Sequence, residues 1–148
     1  MLIETKVQIE AIKTKSYMAG KMDGIIMFTQ GHYIVYVQEK DLLIDVSKIE
    51  EIPKKGMEEY SAEKVEKFLK PIEKTRKMLL CTGSTLRLFE NKKTGDRIWI
   101  NQKYVKNFDN CRPYSADMGE GVKVIVFKRE EKIIGLVLPA KVSEDIEK

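Results

Sequence analysis

The chain has 148 residues, 43% hydrophobic and 34% charged, with 27 Lys and Arg against 23 Asp and Glu for a net charge of +4. That length suits one domain with a proper core, and the composition argues against a largely disordered chain. The basic excess is too small for a basic tail or a nucleosome-type binder, although a local basic face remains open.

The start, Met1 to Lys6, has no basic segment followed by an apolar stretch. No run approaches the ~18 apolar residues of a membrane span. A cytoplasmic protein with no membrane partner is therefore expected. Cys81 and Cys111 are expected as two reduced thiols, since a domain of this size needs no disulfide.

In chain order, Ile3, Thr5, Val7, Ile9 and Ala11 alternate as in a strand, while Thr5 can cap a helix carrying Val7, Ala11 and Ile12. A helix from Lys6 to Met18 is preferred, with Gly20 as its stop. Ile25 to Phe28, Tyr33 to Val37 and Leu42 to Ile44 then read as a three-stranded meander. After the polar link Pro53 to Gly56, Ser61 can cap a long helix with Val65, Phe68, Leu69, Ile72 and Leu79 at helical spacing. Pro71 predicts a kink in it, or a break into two helices.

Leu86 to Phe89 and Arg97 to Ile100 form a hairpin across the turn residues Asn91 to Asp96. Asn101 caps a short helix with Tyr104, Val105 and Phe108, and Cys111 to Ala116 reads as an edge strand containing Pro113. Val122 to Phe127 and Ile133 to Leu138 form a last hairpin, and the charged tail 141–148 is expected to fray. The order predicts a single α+β domain, with antiparallel sheets and two main helices on one face.

Cys81 and Arg87 satisfy the Cys-x5-Arg spacing of cysteine phosphatases, but that chemistry needs a strand, then the loop, then a helix. Here a helix is expected before Cys81 and a strand after it, so the segment reads as a helix-to-strand turn using Gly83. His32 is the single histidine and sits in a turn, which precludes a His-based metal cluster. No phosphate loop or nucleophile elbow is present. The expectation is a non-enzymatic protein with no catalytic residue, metal or cofactor.

Lys64, Lys67, Lys70, Lys74 and Lys77 recur at helical spacing, and residues 61–80 hold six basic and three acidic side chains. Such a stripe can follow a phosphate backbone without reading bases. The plainer alternative is a solvated face opposite the apolar stripe.

The C-terminal third, Ile98 to Val105, then Val124 to Phe127, then Ile133 to Val142, resembles the closing unit of the bacterial replication sliding clamp. The resemblance covers about the last 45 residues and rests on a short, mostly apolar motif ending in Leu138, Pro139 and Lys141. It implies a DNA-clamp-like α+β domain in which Lys64, Lys67, Lys70, Lys74 and Lys77 face duplex DNA. Leu136, Leu138 and Pro139 would then contribute to a pocket for replication proteins. Clamp subunits chain three such domains, so a ring here would require a homo-oligomer. A stand-alone domain of the kind a small phage or mobile element encodes is equally compatible.

Two functions follow as expectations. One is a clamp-like binding module acting in DNA replication or its modulation. The other is a regulatory adaptor that meets a protein through an exposed sheet edge or apolar patch and leaves nucleic acid alone.

Overall fold

A computed structural model describes residues 1–119 and 121–142. Helix α1 spans Ile3–Lys13, and β1 (Met18–Met22), β2 (Ile25–Thr29) and β3 (Tyr33–Gln38) follow it as an antiparallel meander. Two 3-10 turns, Glu39–Asp41 and Val46–Lys48, lead to the two-residue strand β4 (Glu50–Glu51) and the short helices α2 (Lys54–Glu59) and α3 (Ala62–Glu66). Next come β5 (Leu69–Pro71), β6 (Glu73–Cys81), β7 (Ser84–Asn91), β8 (Asp96–Asn101) and helix α4 (Gln102–Val105), which runs into a 3-10 turn at Lys106–Phe108. Strands β9 (Arg112–Asp117), β10 (Lys123–Arg129) and β11 (Lys132–Val137) complete the described fold.

The domain is α+β, as its element order implied. Eight strands form one sheet in the order β4-β1-β2-β3-β11-β10-β9-β5, and β6-β7-β8 form a second. β11 lies between β3 and β10, so the last strand joins the N-terminal meander to the C-terminal one.

The central strands read as continuous apolar runs because both faces of the large sheet are covered. Ile26, Phe28, Val35, Val37, Ile125 and Phe127 face one core, closed by Ile3, Val7 and Ala11 of α1 and by Phe89, Ile98 and Ile100 of the small sheet. Phe108 stacks on Phe127 at 4.5 Å between ring centres, and Phe89 meets Phe127 edge-on. Met27, Tyr36, Val124, Val126 and Leu136 face the opposite core, closed by Met57 of α2 and Val65 of α3. The helices are thus divided between the two faces of the large sheet, not gathered on one face as expected.

Four local expectations change. The first helix starts and stops earlier than its predicted Lys6–Met18, and Met18 to Met22 instead forms β1. Leu42 to Ile44 is loop, held to α1 by buried Gln8, whose side-chain amide donates to the Asp41 carbonyl and accepts from the Leu43 amide at 2.6 Å. β9 is no edge, because β5 pairs with it from Tyr114 to Ala116. Pro113 is paired with Phe127 of β10 on one side, while on the other β5 ends at Pro71, opposite Tyr114.

The fourth is the long helix after Ser61. Ser61 does cap a helix, its hydroxyl accepting from the Lys64 amide at 3.3 Å, but that helix ends at Glu66. Pro71 favours extended backbone at the residue before it. The segment beyond pairs with β9 as β5 and with β7 as β6. Long-range pairing here overrides the helical spacing of the sequence.

Candidate binding surface

The loss of the long helix redistributes the five lysines expected on one helical stripe. All five are exposed. Lys64 lies on α3, Lys67 just after it and Lys70 on β5, and these three border one open concavity of about 560 Å³ with Phe68, Leu69 and Asp117. Phe68 is 43% exposed there. Lys74 and Lys77 belong to β6 on the small sheet and do not line that concavity.

The residues implied for a peptide pocket also separate. Leu136 is fully buried in the core, so it offers nothing to a partner. Leu138 is partly buried and lines a cleft of about 180 Å³ with Met27, Ile52 and Tyr60. Pro139 is exposed and lines a different cleft with Trp99, Ala140 and Val142. The chain past β11 runs beside β8, where the Ala140 amide donates to the Trp99 carbonyl at 2.8 Å. Ala140 and Val142 pack against Leu86, Leu88 and Trp99 on the outer face of the small sheet. The rest of the tail lies outside the described residues.

Cys81 and Arg87 do not surround a phosphate site. Cys81 closes β6, Thr82 and Gly83 make the turn, and Ser84 opens β7, so strands flank the segment on both sides. The turn takes positive φ at both Thr82 and Gly83, as a tight two-residue hairpin loop requires. The Arg87 guanidinium donates instead to the Gln102 side chain and the Thr75 carbonyl, each at 2.9 Å. Both cysteines are free and half-buried. His32 sits at the β2–β3 turn, stacked on Tyr104. Among the described residues, no group of three His, Cys, Asp or Glu side chains is placed to hold a metal ion. None of their helices is long and apolar enough to cross a membrane.

What the small sheet does offer is a strand edge. β8 is bordered by the C-terminal segment, whereas β6 is the terminal strand on the opposite side. β6 carries two different halves. Lys74, Arg76 and Lys77 are exposed around a bulge between Lys74 and Met78, where the Lys77 amide is taken by the Thr75 hydroxyl. From Met78 to Cys81 the strand pairs regularly with β7, and Met78 and Leu80 are 52% and 75% exposed. Protein edges are normally blunted by charge, bulges or cover. The bulged half follows that rule, and the half beyond it does not.

Met78 shares one sheet face with Arg87 and Ile100, its cross-strand partners through β7 and β8. Past the buried core that face opens into a concavity of about 620 Å³ lined by Met78, Arg87, Lys103 and Lys106 together with neutral residues. Among the described residues, no carboxylate lines it and none of its three cations appears in an ion pair. The arrangement can hold an anionic group beside an open strand edge.

Sequence reasoning missed this constellation for a physical reason. Arg87 lies on β7, while Lys103 and Lys106 lie on α4 and the turn after it, and only the hairpin pairing converges them. The available signal was the run Met78-Leu79-Leu80, an apolar patch ending at a Thr-Gly turn, which helical spacing absorbed.

No protein-family model, curated protein or solved structure matches this chain.

Proposed function

We propose that the protein is a binding module that takes an extended segment of a partner protein as an added strand on β6. The observation that carries this reading is Leu80, 75% exposed on a sheet edge that is unpaired among the described residues, beside 52% exposed Met78. Strand addition uses main-chain hydrogen bonds for affinity and alternate side chains for selectivity. An edge with two large apolar side chains supplies both. The short clean stretch, Met78 to Cys81, fits a weak, regulated contact better than a permanent one.

The test is selection of binders from a random library of extended peptides, followed by amide exchange on the complex. Protection at Leu79, Leu80 and their neighbours, with binding lost in Leu80→Lys, is the expected result. Binders whose footprint leaves β6 untouched would sink the reading.

A second reading keeps the clamp-like role in DNA replication. Lys64, Lys67 and Lys70 gathered with exposed Phe68 support it, because a basic concavity with an aromatic suits a nucleic-acid backbone and an unpaired base. Anisotropy with labelled duplex and single-stranded oligonucleotides tests it. Replacing the three lysines with alanine should weaken binding and flatten its salt dependence; an unchanged affinity or salt slope rules this surface out.

A further inference from the structure

The charge arrangement along β6 and beneath it points to the chemistry of its partner: we infer that the added strand is acidic in the part that passes the bulge and Met78, and apolar in the part that passes Leu80. This rests on the strand-addition reading above and specifies it.

Strand pairing places partner side chains directly beside those of β6. Lys74, Arg76 and Lys77 are exposed at the bulged end. Like charges set side by side across strands repel and opposite charges attract, so a basic segment is disfavoured there and an acidic one favoured. The next position, Met78, borders the concavity that Arg87, Lys103 and Lys106 line with no carboxylate among the described residues. An acidic side chain on the same sheet face as Met78 points towards those cations. Arg87 is already oriented by Gln102 and the Thr75 carbonyl, so its charge is held in place before a ligand arrives.

Towards the hairpin tip the lining changes. Leu80 faces solvent, and its cross-strand partner is Thr85, which carries no charge. An apolar partner side chain covers Leu80 there. The same pattern argues against a second copy as the occupant: β6 laid antiparallel on another β6 about its bulge brings Arg76 and Lys77 close to their own copies. The surface thus reads order as well as composition, with acidic residues at one end of the segment and apolar residues at the other.

Three synthetic peptides test this by fluorescence anisotropy: a glutamate block followed by alternating valine and threonine, the same peptide with glutamine for glutamate, and the glutamate peptide with alternate backbone amides methylated. The glutamate peptide is expected to bind about tenfold more tightly than the glutamine one, the sum of several solvent-exposed charge pairs. That advantage should shrink in Arg76→Glu/Lys77→Glu and in Lys103→Glu/Lys106→Glu, whose circular dichroism checks that they fold. Equal binding of the glutamate and glutamine peptides, with no binding of the methylated one, overturns the acidic assignment and leaves strand addition standing. Binding that survives methylation overturns strand addition itself. A single-stranded oligonucleotide that binds through Arg87, Lys103 and Lys106 while no peptide binds overturns both.

Discussion

The Arg129 guanidinium closes on the Glu4 carboxylate, fastening the end of β10 to the first turn of α1 across 125 residues of sequence. The Glu4 and Arg129 side chains are 17% and 23% exposed, so this is no ordinary surface pair. Glu4→Gln leaves a shielded guanidinium without its counter-charge and should cost about 2 kcal/mol. The check is a urea denaturation midpoint, completed with Arg129→Met and the double variant. A coupling energy near zero in that cycle means the pair contributes nothing.

Gly135 faces a harder constraint than a turn glycine. A methyl group added there meets the Ile34 carbonyl oxygen and the Phe108 ring, each at 2.6 Å. Neither yields easily, since one is backbone and the other is stacked on Phe127. Gly135→Ala should destabilise by about 3 kcal/mol. At Gly20 the obstruction is only the flexible Met57 side chain, and Gly20→Ala should cost clearly less. Thermal melts of the two variants side by side distinguish them.

The β10–β11 turn places both Glu130 and Glu131 at positive φ, 51° and 69°. Glutamate has no special tolerance for that region, whereas Asn-Gly is the preferred pair for such a loop. Glu130→Asn with Glu131→Gly should stabilise by about 1 kcal/mol, read as a higher denaturation midpoint. No gain would mean that the side chains offset the strain by contacts of their own.

Burial pushes the Cys111 thiol up to about 11 from its ordinary 9.0, with Arg129 acting more weakly in the opposite direction. The thiol is raised in the fold, so its stabilising contribution is complete below pH 9 and is lost as pH climbs through about 11. Alkylation of Cys111 should accordingly stay slow at pH 9 in the native protein and become fast on unfolding. Fast native modification at pH 8 would contradict the burial.

Asp96 accepts from the Lys123 ammonium at 2.6 Å, joining β8 of the small sheet to β10 of the large one. Hydrogen bonds from Lys123 and Thr94 hold its carboxyl below the ordinary range. The contribution is present above that range and lost as pH falls through the lowered value. Lys123→Ala should move the Asp96 midpoint upward in a carbon-detected NMR titration, and an unmoved midpoint would show that Thr94 alone sets it.

The legible parts of the fold were those whose signal is local. The hairpins from Leu86 to Ile100 and from Val122 to Leu138 announced themselves by β-rich runs on either side of turn residues, and Asn101 capped its short helix as read, accepting from the Lys103 amide. The illegible part was residues 67–81. Their apolar positions fit a helix and a strand equally well, and the choice is made by β7 and β9, partners that spacing within the segment cannot reveal. The lysines followed the same fate. Their exposure was legible, but their grouping was not, because three stayed together near α3 while Lys74 and Lys77 left with β6.

The position of β11 carries a consequence for biosynthesis. The first three strands leave the ribosome long before their neighbour, and β3 must wait for residues 132–137 before its free side is paired. β10 has the same vacancy to fill. The large sheet therefore cannot close until β11 itself has been made. Until it does, the nascent protein presents two open apolar edges, a template for pairing with the wrong chain and a natural point for chaperone engagement.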